Sequence, residues 1–387
     1  VDLAGAGSPT SFGRRNRTLF CSQQIPSYRP GAVAIAARRP PSRLRALALL
    51  AALVWLLAGL AGVARYVHAY WLYRGFPPPA TPHGVASGST ERISFYSRAL
   101  HHERSYLVYV PPHYAADAER GMRFPVMYLL HAPPGRPDGY LQAGALGVDV
   151  SILLARHEIR PALYVIPFGK SGTYGNDTEW ANTRSGRYES FVLDVVRDVD
   201  HRFPTLRGRQ YRGIAGLSEG GYGAVNIALH HLDEFSVAES WSGYFVQTRT
   251  GPFVHATPAE LYANSPGLYL PRLDGAIHRM GLRAYLYQGV KDEIRPFRIR
   301  TFGGQLRQAG AYVRWGFFPG GHDWGLWRHQ MPHMLRIASR WFSQSPSRHG
   351  ASPLHGIGRP EHPRAGHANP TSPDHRTGRH RRRGVRA

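Results

Sequence analysis

Six short apolar runs punctuate the middle of the chain: "SYLVYV" (105–110), "FPVMYLL" (124–130), "ALYVIP" (162–167), "YRGIAG" (211–216), "AYLYQG" (284–289) and "YVRWGFF" (312–318). Their length and their β-branched and aromatic content predict strands. Between them the period changes. In "YESFVLDVVRDVDHRF" (188–203), Phe191, Val192, Val195, Val196, Val199 and Phe203 fall on one face of a helix. "GYGAVNIALHHL" after Gly220 and "MPHMLRIASRWF" (331–342) predict two more helices. Strands that are apolar throughout, set between helices, need cover on both faces. The expected fold class is therefore α/β: a doubly wound, mostly parallel sheet.

A different pattern precedes this region. "ALALLAALVWLLAGLAGVA", Ala46 to Ala64, carries no charge, and a run of that length is about what a helix needs to cross a bilayer. It predicts one transmembrane helix, with residues 44–67 as the anchor. Arginines crowd its N-terminal side, while only Arg65 and Arg74 follow closely, so the N-terminus is expected in the cytoplasm and the rest outside. A cleaved signal peptide is the competing reading; the long preceding region and the lack of a small-x-small site before Arg65 speak against it. A buried core helix is the third reading, against which stand the arginine flanks. No methionine precedes Met122, and the expected start is a non-ATG codon, with Val33 an alternative that keeps the basic lead into the span.

The remaining organisation follows from composition. Residues 1–43 are rich in Gly, Ser, Pro and Arg without periodicity, and predict a disordered basic tail. Residues 68–84, with "RGFPPPATPHG", read as a linker. The globular domain is expected at 85–342, and residues 343–387 as a second disordered basic tail. The formal charge of +23 resembles a nucleic-acid signal only until it is located. Of the 48 basic residues 46 are arginine, a bias that a GC-rich coding sequence also produces, and much of the excess lies in the tails. No nucleic-acid partner is expected, and no protein partner is inferred. The sole cysteine, Cys21, precedes the span, so the domain has no disulfide available.

The sharpest motif is "GLSEGG", Gly216 to Gly221, between an apolar strand and a helix. That context suits a nucleophile elbow, with Ser218 on a tight turn and small neighbours letting backbone pack close. An ordinary glycine-rich strand-to-helix turn is the alternative. Serine needs a base, and the base an orienting acid. "YQGVKDE" places Asp292 just past a strand end, with Glu293 a competitor, and "PGGHDWGLW" places His322 after the last strand. The order Ser, Asp, His is that of the α/β-hydrolase triad. Trp180, Tyr174 and Asn182 in "SGTYGNDTEWAN" are candidate substrate-binding residues, with local packing the competing role. The histidines of "LHHER" and "LHHLD" lack partners at metal-ligand spacing, so no metal and no cofactor are expected.

"YLLHAPPG", "GLSEGGYGA", "GVKDE" and "GGHDWGLW", in this order, resemble the putative-esterase family of α/β-hydrolases, which includes feruloyl esterases, S-formylglutathione hydrolases, enterobactin esterases and mycolyltransferases. The resemblance spans about residues 85–342. It implies an α/β-hydrolase fold, Ser218 as nucleophile, Asp292 as acid, His322 as base and the Glu219 amide as one oxyanion donor. It also exposes a departure. Family members typically read His-Gly-x after the third strand, with the amide of x as the second donor; here Ala132 and Pro133 stand in those places. Proline has no N–H. The expected function is a membrane-anchored, extracytoplasmic serine esterase. The alternatives are acyl transfer of the mycolyltransferase type to a sugar or lipid hydroxyl, and a non-catalytic envelope-binding module that keeps the fold.

Overall fold

The computed structural model describes residues 42–169, 177–293 and 297–343. Cys21, Tyr174 and both expected tails, apart from Ser42, Arg43 and Ser343 at helix ends, lie outside the described residues. The chain divides into two units, residues 1–63 and 64–387. What is described of the first is helical. Helix α1 (Ser42–Tyr73) continues from it, and is the one helix among the described residues long and apolar enough to cross a membrane. None of its residues is buried in the protein. It runs past the expected end of the anchor at Val67, because His68–Tyr73 contains no helix breaker. It stops at Arg74 and Gly75, whose positive φ values of 54° and 86° turn the chain before the first proline.

The second unit proceeds through β1 (Ser89–Ser97), β2 (His102–Val110), α2 (Tyr114–Glu119), β3 (Val126–Leu130), α3 (Asp138–Gln142), α4 (Leu146–Ala155) and β4 (Leu163–Pro167). A two-stranded ribbon of β5 (Asn182–Thr183) and β6 (Gly186–Arg187) leads into α5 (Tyr188–Arg202). The chain continues through β7 (Arg212–Leu217), α6 (Glu219–His230), β8 (Val237–Trp241), α7 (Pro258–Ala263), α8 (Pro266–Tyr269), α9 (Asp274–Met280), β9 (Arg283–Gly289), α10 (Phe297–Gln308), β10 (Tyr312–Phe318) and α11 (Trp324–Ser343). Eight strands form one sheet in the order β1-β2-β4-β3-β7-β8-β9-β10. The pairings β1/β2 and β2/β4 are antiparallel, and every other pairing is parallel. This is the doubly wound arrangement expected from the apolar runs.

Alternation along the strands divides the core. In β3, Val126, Tyr128 and Leu130 join Phe191, Val192 and Val195 of α5 on one face. Met127 and Leu129 join Val150 of α4 and Leu335 of α11 on the other. Each such aliphatic or aromatic side chain contributes about 1.5–3 kcal/mol on burial. That covering of both faces fixes the level of the sheet at which the strand-end loops emerge.

Two strands differ from the sequence expectation. β8 reads "VAESW", and its central Glu239 and Ser240 break the apolar pattern, yet both are fully buried. β1 is an edge strand exposed along most of its length, so it carries little apolar signal.

Candidate active site

The turn between β7 and α6 is built by close backbone approach. A Cβ on Gly216 would lie 2.2 Å from the Gly220 carbonyl, and one on Gly220 would lie 1.9 Å from the Leu130 carbonyl oxygen. Only glycine fits either position. Ser218, between them, takes φ 55° and ψ −119°, a conformation that costs a non-glycine residue of order 1–3 kcal/mol. Its amide donates to the Trp241 carbonyl at 2.8 Å, and its own carbonyl accepts from Tyr222 at 3.0 Å, so neighbouring packing holds the strain in place.

Asp292 and His322 reach the turn from the adjacent parallel strands β9 and β10. The loops that follow these strands are tied to each other. Val290 donates to Phe318 and Lys291 to Gly320, each at 2.9 Å. The result is a continuous line: His322 Nε2 lies 2.8 Å from Ser218 Oγ, and His322 Nδ1 lies 3.0 Å from Asp292 Oδ2. The Asp292 side chain is fully buried and that of His322 is 28% exposed. A buried carboxylate on Nδ1 leaves Nε2 as the acceptor facing the hydroxyl. Glu293, the competing acid, is exposed. The Trp327 ring meets the His322 ring edge-on at 5.2 Å and limits its rotation.

The segment after β3 borders the same turn. His131 is buried, and burial pushes its pKa down to about 4, so the ring is neutral. Its Nε2 accepts from the Gly169 amide at 3.3 Å. Ala132 accepts from Gly135 at 2.7 Å, closing a turn over Pro133 and Pro134, whose shared peptide bond is cis. From Ala132 to Gly135 the backbone therefore has amides only at its two ends, and Gly135 spends its own on the turn. The Glu219 amide opens α6, where the first N–H groups have no intrahelical partner.

Trp180 and Asn182 are both held by local contacts. Trp180 is 1% exposed; its Nε1 donates to the His131 carbonyl at 2.9 Å and its ring meets that of His131 at 5.3 Å. It backs the loop after β3. Asn182 borders a surface pocket with Arg184, Phe253, His255 and Glu260. Its amide is engaged by Ser190, accepting from the backbone N–H and donating to Oγ, both at 3.1 Å, which steadies the first turn of α5.

Sequence reasoning missed a polar cluster behind the turn. The Glu219 carboxyl turns away from Ser218 and accepts through Oε1 from the Thr178 amide at 3.0 Å and the Thr178 hydroxyl at 3.1 Å. Glu179 accepts from Tyr244 at 2.5–2.6 Å and from Gln247 Nε2 at 2.8 Å. The one available signal was the acidic residue directly after the nucleophile candidate. Among the described residues, no group of three or more His, Cys, Asp or Glu side chains is arranged to hold a metal ion.

The family described as "Putative esterase" matches residues 97–338. The chain belongs to that family. Two curated relatives are distant in sequence. An endo-1,4-beta-xylanase/feruloyl esterase of Xylanibacter ruminicola is 26% identical over 158 residues, 39% of this chain and 21% of the relative. The MPT51 antigen of Mycobacterium leprae is 27% identical over 208 residues, 44% of this chain and 65% of the relative. The chain thus covers less than two thirds of these relatives' own length. Among solved structures, a ferulic acid esterase superposes with a TM-score of 0.59 at 23% identity, covering 66% of this chain and 99% of that one. An S-formylglutathione hydrolase from Staphylococcus aureus gives 0.53 at 17%, covering 67% and 99%. These likenesses establish the α/β-hydrolase fold of the esterase family.

Proposed function

We propose that this protein is a serine esterase that hydrolyses a carboxylic ester, held to a membrane by α1 with its catalytic domain on the extracytoplasmic side. The observation that carries the reading is the line Ser218 Oγ, His322 Nε2, His322 Nδ1, Asp292 Oδ2, with contacts of 2.8 and 3.0 Å. Membership of an esterase family gives the bond class.

In the reaction, Ser218 Oγ attacks the ester carbonyl carbon while its proton passes to His322 Nε2. Asp292 stabilises the resulting imidazolium through Nδ1–H. The carbonyl oxygen becomes an oxyanion, and the Glu219 amide, at the positive end of α6, donates to it. Collapse expels the alcohol, which takes the proton from His322. Water then attacks the acyl-serine with His322 again as base, and the acid leaves with Ser218 restored. An oxyanion site that lacks a donor at residue 133 is expected to be slow, since one such donor is worth about 100- to 1,000-fold in rate.

The anchor reading rests on the length and apolarity of α1 and on the arginines before it. Hydrolysis of a panel of nitrophenyl esters by the full chain, beside Ser218→Ala, tests the activity. Equal activity in both proteins would remove Ser218 from the mechanism.

A further inference from the structure

Two acidic side chains beside the nucleophile turn are buried, and no cation among the described residues pairs with either: Glu219 is 5% exposed and Glu179 is 8%. Glu219 faces the segment Asp177–Trp180, and Glu179 belongs to it. In that segment Glu179 and Trp180 take positive φ values of 49° and 48° in succession, a backbone that costs side-chain-bearing residues free energy and needs fastening. The fastenings are specific. Thr178 donates twice to Glu219 Oε1, and Thr178 Oγ1 accepts from the Trp180 amide at 3.1 Å. Tyr244 and Gln247, from the chain after β8, donate to Glu179. Trp180 Nε1 then reaches the carbonyl of His131, at the start of the Ala132–Pro134 segment. One short stretch thereby joins the nucleophile turn, the chain after β8 and the oxyanion segment.

We propose that the Glu219 side chain is a positioning group, which holds the Thr178–Trp180 segment and through it the His131–Pro133 backbone in the geometry for oxyanion binding, and does so only while the Glu179/Glu219 pair keeps a proton. This rests on the esterase reading of the site. The groups that face the pair are Asp177 and Thr178 from the segment itself, Tyr222 from α6, and Tyr244 and Gln247 from the chain after β8. None of them supplies a positive charge. Burial raises the Glu219 carboxyl well above the ordinary carboxylate range and the charge of Glu179 raises it further; burial likewise raises Glu179. Glu219 Oε2, buried without a hydrogen-bond partner among the described residues, is the natural seat for the proton. Removing it leaves a second negative charge in a low-dielectric site that already feels the charges of Glu179 and Asp177. The segment is then expelled, and the Trp180 to His131 bond is lost with it.

The positioning role adds an alkaline limb. In the full chain in detergent, kcat for a nitrophenyl ester is expected to fall with rising pH above neutrality, by about tenfold per pH unit for loss of one proton, with KM little changed. Glu219→Gln, which keeps the acceptor for Thr178 and cannot ionise, removes that limb. Glu179→Gln, which removes the neighbouring charge, moves it to higher pH. A wild-type kcat with no alkaline limb, or a Glu219→Gln protein with the same limb, overturns the proposal. A second readout needs no catalysis. The raised carboxyl contributes stability that is present below the ordinary carboxylate pKa and is lost as pH rises through the raised value. In Ser218→Ala protein the melting temperature therefore falls across that interval, and adding Glu219→Gln removes this part of the fall; an identical fall in both overturns the proton-sharing pair. If no preparation hydrolyses an ester at any pH, the esterase reading fails, and the melting curves still decide whether the pair holds a proton.

Discussion

Pro133→Gly is the perturbation that bears most directly on how fast this site can work. Pro133 and Pro134 have no amide, and Gly135 donates its own to the Ala132 carbonyl at 2.7 Å. The position at which the family resemblance implies the second oxyanion donor is therefore vacant of N–H. Since one donor is worth about 100- to 1,000-fold, restoring an amide there is expected to raise kcat by about ten- to a hundredfold, the remainder lost to the looser backbone of glycine. Pro133 is only half-buried, so no core cavity results. The cost falls on the unfolded chain, at about 0.4–1 kcal/mol, which lowers the melting temperature by a few degrees. The assay pairs nitrophenyl ester turnover with thermal melts of the same preparations. A folded variant with an unchanged or lower kcat refutes the reasoning, and would point to the Ala132 amide as a donor already in place.

Three further outcomes follow from packing and charge. Gly220→Ala drives a Cβ to within 1.9 Å of the Leu130 carbonyl oxygen, and that strand backbone has nowhere to go; destabilisation of about 3 kcal/mol or more is expected in denaturant melts. Trp180→Phe keeps most of the buried ring but leaves the His131 carbonyl without its donor, at a cost of about 1–3 kcal/mol, together with a loss of kcat that exceeds any change in KM. Between α5 and α6, Glu189 accepts from His230 at 3.0 Å and from His231 at 2.9 Å. Burial would raise the Glu189 carboxyl, but those two bonds outweigh it and hold the group at about 2; burial would lower His230, but its contacts with Glu189 and the Ala263 carbonyl together raise it. The Glu189 contribution is present above its unfolded pKa and lost as pH falls through about 2, and the His230 contribution is present below its unfolded pKa and lost as pH rises through the raised value. Glu189→Gln should therefore cost most stability in mildly acid solution, between those limits; an offset from wild type that is constant from about pH 3 to 9 would refute this.

The elements legible in the sequence were those whose burial shows in their composition. Six apolar runs and the 188–203 periodicity located most of the sheet and α5, because strands covered on both faces must be apolar throughout. β8 escaped because Glu239 is a buried carboxyl in the middle of a central strand, and β1 because an edge strand exposes most of its side chains. At the site, Ser218, Asp292 and His322 were nominated from turn signals at strand ends, and parallel strands bring such ends to one side of the sheet. The structure gives the distances among them. It also assigns Trp180 to the backing of a loop, which an aromatic in a long irregular stretch does not disclose. For the Glu179/Glu219 cluster the sequence offered only the acidic residue after Ser218, since Thr178 and Glu219 lie 41 positions apart and meet only when the segment before α5 folds onto the turn.

The central claim is that Ser218 is activated by His322 and Asp292. Labelling of the folded full chain by a fluorophosphonate, read by mass spectrometry of the modified peptide, tests it most directly. The account predicts one adduct, on Ser218, abolished in Ser218→Ala and slowed by about four orders of magnitude in Asp292→Asn, in which the imidazole loses its orienting charge. Absence of labelling on Ser218 in folded protein, or labelling at an undiminished rate in Asp292→Asn, would contradict it.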